Sequence, residues 1–171
     1  LSFGLEVLGA QITEVPTIEI RPPVSFERLD GAAAGVGEYD WIVFASANGV
    51  ASFFDRLVAV GSDARGMAGV RCAAVGRATA KALRDRGIVA DLVPRKMTSE
   101  GLLDEIDSKK ISVDGQRFLF PASELGRTLI PEGITARRGI VDRVVAYRTV
   151  EPDLPPPALD IALDPLPDLV T

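Results

Sequence analysis

Short apolar runs alternate with amphipathic segments along most of this chain. The apolar run at 41–44 is followed by small residues at 45–47, and apolar side chains then recur at helical spacing between Val50 and Leu57. This pattern predicts a buried parallel strand, a tight turn and a helix that ends near Gly61. The first amides of such a helix and the positive end of its dipole form a general anion-binding site.

The same strand–turn–helix unit recurs along the chain. The other predicted strands cover 70–75, 90–93, 117–120 and 140–147, the last continuing into 148–150. The other predicted helices cover 26–35, 79–86, 99–108 and 127–138. Strands that alternate with helices of about ten residues predict an α/β fold with a parallel sheet covered on both faces.

In a sheet of this kind, ligands bind beyond the carboxyl ends of the strands. Three predicted turns occupy that edge, at 45–48, 76–79 and 121–124, and they are built largely from small or hydroxyl residues. Backbone amides in such turns can approach a ligand closely. The hydroxyls of Ser46 and Thr79 are also suited to a cap or a first-turn position of the helices that follow, and such a cap contributes about 1 kcal/mol to stability.

Composition narrows the possible chemistry. The chain has 171 residues, of which 47% are hydrophobic and 25% charged, as is typical of a globular domain. Its net charge of −5 argues against nucleic acid or an anionic membrane as a partner, and no apolar run reaches the ~20 residues that span a bilayer. The chain has no histidine, which excludes a Ser-His-Asp triad and histidine metal sites. The single Cys72 cannot build a thiolate zinc site or a disulfide framework, and we expect it to be an inert buried thiol in a reducing compartment.

The two ends of the chain predict interrupted elements. The segment Leu1–Gly9 resembles the last turns of a helix that ends at Gly9, and Asp168–Thr171 resembles a strand that is cut off part-way. The Pro-rich segment at 151–157 has the composition of a linker. We therefore expect the sequence to be a piece of a longer protein.

Four sequence blocks resemble one protein family. They are YDWIVFASANGV at 39–50, VGRATAKALRDRG at 75–87, VPRKMTSEGLL at 93–103 and VVAYRTV at 144–150, in family order over nearly the whole chain. Together they resemble the uroporphyrinogen-III synthases, which are cofactor-free enzymes of tetrapyrrole biosynthesis. PTIEIRPP at 16–23 resembles the first crossover of that family. Each block alone is a weak signal, and the specificity comes from their combination.

The resemblance implies two α/β domains with flavodoxin-like parallel sheets, joined by a two-stranded linker, with the active site in the cleft between them. On this sequence it implies a complete inner domain at 21–146 and a return linker at 147–156. Residues 1–20 would be a fragment of the outer domain with the first linker strand, and 157–171 would be the truncated start of its second half. A cytoplasmic monomer that needs no cofactor and no metal is expected.

The implied reaction closes the linear tetrapyrrole hydroxymethylbilane to uroporphyrinogen III, with inversion of ring D, and belongs to the carbon–oxygen lyases. Loss of the terminal hydroxyl gives a cationic azafulvene, and attack at a substituted position gives a spiro intermediate that rearranges and closes. Since the substrate supplies the electron push, the enzyme's main task is to hold a flexible molecule with acetate and propionate side chains in one folded geometry. This chemistry suits a chain without histidine.

The resemblance also implies roles for individual residues. Tyr147 is the candidate catalytic group, as a general acid or hydrogen-bond donor to the leaving hydroxyl, and simple packing of a half-buried ring at a strand end is the alternative. The candidate substrate-binding residues are Ser46, Ala47, Asn48, Gly76, Arg77, Ala78, Thr79, Ala122 and Ser123. Asn48 is also suited to a helix cap and Arg77 to a solvated surface turn. The turn at 121–124 carries no basic residue, which argues against a charged carboxylate contact there.

Two other functions share parts of this pattern. A non-catalytic tetrapyrrole-sensing or regulatory module of the same fold would carry the same blocks, and the segment after Thr171 would distinguish it from the enzyme. A phospho-receiver domain has a similar sheet but needs an Asp at the carboxyl end of a strand, whereas Asp40 precedes its strand. For the enzyme, we expect this 171-residue piece alone not to close the bilane, because half of the cleft wall would be missing.

Overall fold

The computed structural model describes residues 6–12 and 15–152. The chain divides into two compact units, of which the larger is formed by Arg21–Arg148 and the smaller by Leu1–Ile20 together with Thr149–Thr171. The larger unit contains nearly all of the described helices and strands. It also contains every side chain of the candidate site discussed below.

The smaller unit is described only in part. Among the described residues of this unit, Glu6 and Val7 are helical, and the segment ends at Gly9, whose φ of +87° lies in the left-handed region that favours glycine. The first residues of the helix predicted over Leu1–Gly9 lie outside the described residues. The same holds for the strand predicted at 168–171 and for the whole segment 157–171.

A sheet with helices on both sides forms the framework. Its strands are β1 (Glu19–Arg21), β2 (Trp41–Phe44), β3 (Arg71–Ala74), β4 (Arg117–Ser123) and β5 (Ile140–Val150). Its helices are α1 (Glu27–Ala34), α2 (Ala47–Ala59), α3 (Arg77–Asp85), α4 (Ser99–Ser108) and α5 (Leu129–Ala136), with short 3-10 helices at Val36–Glu38 and Ala64–Met67. The helices follow the predicted segments closely because each has a continuous apolar stripe to bury.

The strand order is β1-β5-β4-β2-β3, and β2 pairs in parallel with β3 and β4, as β4 does with β5. The order β3-β2-β4-β5 corresponds to the 2-1-3-4 order of flavodoxin-like sheets, in which chain connections leave the first and third strands in opposite directions. That switch point lies here between β2 and β4. The prediction of an α/β fold with a parallel sheet is therefore confirmed.

Two hydrophobic layers hold the sheet. On one face, side chains from α1, α2 and α3 pack in one cluster with Ile42 and Phe44 of β2. On the other face, side chains from α4 and α5 pack with Trp41 and Val43 of the same strand. Alternate residues of a strand point to opposite faces, so one short apolar run contributes to both layers. The carboxyl edge of the sheet is thus supported from both sides.

The predicted strand at 90–93 is reduced to a single parallel bridge between Ala73 and Leu92. The Asp91 carboxylate accepts the backbone N–H of Cys72 at 2.7 Å and so occupies a donor that a longer ladder would use. The proline that follows this segment, Pro94, cannot donate to a ladder either. The interpretation of 90–93 as a full strand is therefore wrong.

The turn predicted at 121–124 is also wrong, because β4 continues through Ser123. Beyond the last pair between β2 and β4, which joins Ile42 and Leu119, β4 still pairs with β5. Proline is tolerated in a strand that has a partner on one side only, and Pro121 lies in this part of β4. The chain turns only after Ser123, which extends one wall of the candidate site.

Native Cys72 is expected not to react with an aromatic disulfide reagent near neutral pH. The side chain is 1% exposed, and burial, with a smaller effect of the Asp91 carboxylate, raises the pKa of its thiol to about 12. Because only the thiolate is nucleophilic, the folded chain offers almost none. Labelling should appear at once in concentrated guanidinium chloride, monitored by absorbance. Fast labelling of the folded protein would contradict this prediction.

Candidate active site

A pocket of about 350 Å³ opens where β2 and β4 end, at the switch point of the sheet. Its lining comes from 45–46, Val75, 97–99, 120–123, 126–127 and Tyr147. The walls are thus the ends of three strands, the loops that lead into α4 and α5, and one tyrosine of β5. The lining combines apolar side chains with hydroxyls and one guanidinium.

Tyr147 and Ser46 meet at this pocket. The phenol oxygen of Tyr147 lies 2.9 Å from Ser46 Oγ, and either atom can be the donor. Ser46 Oγ also accepts the Gly49 N–H at 3.0 Å, which makes Ser46 the N-cap of α2. A serine hydroxyl has one proton and two acceptor lone pairs. When Ser46 donates its proton to the phenol oxygen, the Tyr147 O–H is free to donate to a ligand.

A β-bulge in β5 directs Tyr147 to this position. Ala122 pairs with Val145, but the next residue of β4, Ser123, pairs with Tyr147, so Ala146 is an extra residue in β5. Without it, strict alternation would place Tyr147 on the face of α4 and α5. The bulge brings both Ala146 and Tyr147 into the core cluster of α1–α3, next to the N-terminus of α2.

The wall after β4 is a tight turn tied to β5. Gly126 N–H donates to Ser123 O, and Glu124 N–H donates to Tyr147 O, each at 3.0 Å. Arg143 of β5 adds two bonds from one nitrogen, since its Nη2 lies 2.8 Å from Ser123 O and 3.0 Å from Glu124 O. The Arg143 Nε–H is buried and has no acceptor in the described part of the chain.

The opposite wall is the start of α4. Thr98 Oγ1 accepts the Gly101 N–H at 3.0 Å, so Thr98 is the N-cap of α4. The backbone folds back so closely that a Cβ placed on Gly101 would lie 2.0 Å from Lys96 O. The pKa of Glu100 lies below its usual range, mainly because the carboxylate accepts hydrogen bonds from its own backbone N–H and from Thr98. The positive charges of Arg127 and Lys96 lower this pKa further, by smaller amounts.

Positive side chains gather at the carboxyl edge of the sheet. Arg77 begins α3, Arg95 and Lys96 precede α4, and Arg127 lines the pocket. None of these four side chains forms an ion pair or hydrogen bond with a residue of 6–12 or 15–152. Arginines of the opposite edge are paired, for example Arg137 with Asp107. The edge therefore offers cations to an anionic ligand although the whole chain is negative.

The structure brings four of the predicted site residues together at the pocket, namely Tyr147, Ser46, Ala122 and Ser123. The others belong to turns or first helical turns at the same edge but do not line it: Ala47, Asn48, Gly76, Arg77, Ala78 and Thr79. Their roles in binding stay predictions. The cap role of Asn48 is wrong, because Ser46 caps α2. For Thr79 the pattern allows a cap or a hydroxyl in the first turn, and the first-turn position is confirmed, since Gly76 is the N-cap of α3. Thr79 is buried in this first turn, with 4% exposure.

Several pocket residues were missed in the sequence. The sequence pattern predicts no ligand contact at 97–99, and it places Arg127 in a helix that begins two residues later, at Leu129. The pair Gly126–Arg127 between a strand and a helix was the signal available for this wall. The segment 121–124 contains no basic residue, which argues against a charged contact there. Arg127, which lines the same pocket, supplies such a cation.

Within residues 6–12 and 15–152, no three carboxylate, cysteine or histidine side chains lie close enough together to hold a metal ion. No helix of these ranges is both long and apolar enough to cross a bilayer.

Comparisons with known proteins point to one family. The family model described as "Uroporphyrinogen-III synthase HemD" matches residues 1–167. A uroporphyrinogen-III synthase of Synechococcus elongatus is 37% identical over 162 residues, which cover 93% of this chain and 59% of that protein. A porphyrin biosynthesis protein HemD of Ruminiclostridium josui is 42% identical over 90 residues, which cover 53% of this chain and 18% of that protein.

Solved structures show the same fold. A mutant uroporphyrinogen III synthase of Thermus thermophilus superposes with a TM-score of 0.64 at 22% identity, covering 94% of this chain and 62% of that one. The uroporphyrinogen-III synthetase of Helicobacter pylori gives a TM-score of 0.53 at 12% identity, covering 90% and 64%. The chain thus spans less than two thirds of the length of these relatives. The family match over almost the whole chain confirms the resemblance of the four sequence blocks, and the chain belongs to the uroporphyrinogen-III synthase family.

Proposed function

We propose that this chain forms part of a uroporphyrinogen-III synthase, which closes hydroxymethylbilane to uroporphyrinogen III with inversion of ring D and release of one water. The observation that carries the proposal is the Tyr147 phenol, hydrogen-bonded to Ser46 Oγ at 2.9 Å at the pocket of the switch point. It places a phenol O–H in a pocket whose lining also has apolar surface from Phe120 and Pro121. A reaction in which the substrate drives its own ionisation needs little more acid–base chemistry.

In the proposed mechanism, the Tyr147 O–H donates to the terminal hydroxyl of the bilane as that hydroxyl leaves. Ser46 supports this donation because its hydroxyl donates a hydrogen bond to the phenol oxygen. The Gly49 N–H donates to Ser46 Oγ and holds Ser46 in place. The remaining task is to keep the azafulvene close to the substituted carbon of ring D that it attacks. Orientation of this kind accounts for a large part of the rate in many enzymes.

The pocket suits a ligand with apolar rings and acidic side chains. Phe120 and Pro121 provide apolar surface, and Arg127 at the rim provides a positive charge. Free amides at the first turn of α2 and the cations Arg95 and Lys96 offer further partners for acetate and propionate groups. We propose that Arg127 binds one of these carboxylates.

We further propose the domain arrangement of the family for the whole protein. Residues 21–146 would form the inner domain, 1–20 would supply an outer-domain fragment with the first linker strand, and 147–156 would be the return linker. The segment 157–171 would begin the second half of the outer domain. The division of the chain at Arg21 and Arg148 supports this arrangement. In this arrangement Tyr147 lies where the linker leaves the inner domain, and the protein acts as a cytoplasmic monomer.

The proposal is tested with hydroxymethylbilane made enzymatically and used at once. The full gene product should convert it mainly to the type III isomer, separated from type I by chromatography after oxidation. Spontaneous closure gives type I, so a product mixture equal to that of a blank would refute the proposed activity. Under the same conditions the 171-residue chain alone should not raise the type III fraction above the blank.

Replacing Arg127 by Gln in the full gene product is expected to raise KM for the bilane about 5- to 10-fold, because a charge-assisted bond to a carboxylate is lost. The kcat should change little, since Arg127 lies at the rim and not beside the phenol. Steady-state kinetics give both constants. Arg84→Gln, which removes an exposed arginine of the last turn of α3, is the matched control. An unchanged KM for Arg127→Gln would contradict the proposed contact.

A further inference from the structure

The segment 123–126 forms one wall of the pocket and joins β4 to the loop that carries Arg127. The carbonyl groups of its first two residues accept hydrogen bonds from a side chain of β5. Ser123 O and Glu124 O are both within hydrogen-bond distance of a single atom, Arg143 Nη2, at 2.8 Å and 3.0 Å. One guanidinium nitrogen thus fixes two consecutive peptide units of this wall.

Arg143 is placed for this contact by the sheet. It lies opposite Phe120 in the parallel pairing of β4 and β5, and Phe120 is a lining residue of the pocket. From there its side chain extends along β4 toward the carboxyl edge. Tyr147, farther along the same strand, accepts the Glu124 N–H through its backbone oxygen at 3.0 Å. These hydrogen bonds therefore fix the position of the wall relative to β5, the strand that carries Tyr147.

One part of this arrangement costs stability. The Arg143 Nε–H is buried without an acceptor in the described residues, and a buried donor without a partner costs stability. Glu124 is exposed, so water could satisfy its carbonyl if the arginine were absent. The arginine instead provides a defined position for the two carbonyls.

We propose that Arg143 is a positioning residue, which holds the wall at 123–126 in register with β5 so that Ser123 and Arg127 meet a ligand held at Tyr147. This inference rests on the proposed function for its ligand, but its structural part can be tested without that function. Arg143 does not line the pocket. Its effect therefore acts through the wall.

Arg143→Met and Arg143→Lys separate the two contributions of the side chain. Both place a carbon atom, Cε, at the position of the buried Nε, and a carbon needs no acceptor, so neither should lower the thermal midpoint by more than a few degrees. Only lysine keeps a cationic nitrogen that can donate to both carbonyls, although its shorter reach weakens the bonds. Arg65→Met serves as the control, because Arg65 pairs with Asp63 on the exposed Ala64–Met67 turn, away from the pocket lining.

We expect amide hydrogen exchange at Glu124 and Gly126 to become about 10-fold faster in Arg143→Met and less than about 3-fold faster in Arg143→Lys. The KM for hydroxymethylbilane should rise about 5- to 10-fold in the methionine variant, with partial rescue by lysine and with kcat within about 2-fold of wild type. The control should match wild type in all three measurements.

Unchanged exchange at Glu124 and Gly126 in Arg143→Met would overturn the inference. So would equal KM values for the methionine variant and wild type, or a loss of activity that only follows loss of folded protein. If the wild-type gene product forms no type III isomer, the proposed function fails instead. In that case the exchange measurement alone decides whether Arg143 holds the wall.

Discussion

Replacing Tyr147 by Phe in the full gene product is expected to lower kcat about 10- to 100-fold while leaving the fold intact. The variant keeps the ring, which is buried in the core cluster of α1–α3, and removes only the hydroxyl that meets Ser46 Oγ. Loss of a positioned proton donor typically costs at least this much in rate. Loss of one neutral hydrogen bond should cost only about 1 kcal/mol of stability.

The measurement is the rate of type III formation at saturating bilane, together with a thermal unfolding curve. The chain contains one other tyrosine, Tyr39, which provides a matched control. Its hydroxyl donates to Asp142 Oδ2 at 2.8 Å, and burial together with that carboxylate raises the pKa of the phenol. Tyr39 does not line the pocket, so Tyr39→Phe should lower stability by about 1 kcal/mol and leave kcat unchanged. Equal kcat values for Tyr147→Phe and wild type would exclude the proton-donor role.

Replacing Gly101 by Ala is expected to destabilise the fold by about 3 kcal/mol, the largest stability effect we predict. Gly101 is buried in the first turn of α4, and an added Cβ would lie 2.0 Å from Lys96 O and 2.9 Å from the carbonyl carbon. Because these are backbone atoms, the strain cannot be relieved by a side-chain rotation. The loop 95–98 must move, and with it the pocket wall at 97–99.

Denaturant unfolding of the variant gives the loss of stability directly. Gly31→Ala is the control, since Gly31 lies within α1 and an added Cβ there would meet nothing within 4 Å. Alanine is the better helix former, so this control should stabilise the protein by about 0.5–1 kcal/mol. If both substitutions change stability by the same amount, the close approach at Gly101 does not exist in solution.

Local pattern was enough to predict the strand, turn and helix around Ser46. The apolar run 41–44 and the helical spacing that follows are properties of adjacent residues, and both hydrophobic layers use them as expected. The position of Tyr147 at the end of a strand was predicted for the same reason. The pattern along the 171 residues also predicts that strands and helices alternate, because each strand–turn–helix unit is built from adjacent residues.

The geometry of the pocket could not be predicted in this way. Ser46 and Tyr147 are 101 residues apart, and their contact depends on the strand order and on the bulge at Ala146. No residue type signals that bulge. The proposed role of Arg143 depends on the carbonyl group of Ser123, which lies beyond the last pair between β2 and β4. Where that pairing ends is decided by tertiary structure and not by local sequence. Hydrophobic periodicity carries no information about such distant partners.

The cations at the carboxyl edge also bear on how a ligand is captured. The net charge of −5 gives the chain a weakly repulsive field for an anion at long range. At physiological ionic strength this field is screened beyond about 8 Å, and so is the attraction of Arg95, Lys96 and Arg127. The edge therefore contributes little to the frequency of encounters in solution. For the proposed acidic substrate, its contribution would lie in residence time, because a molecule held by these cations at the pocket mouth has longer to adopt its folded geometry.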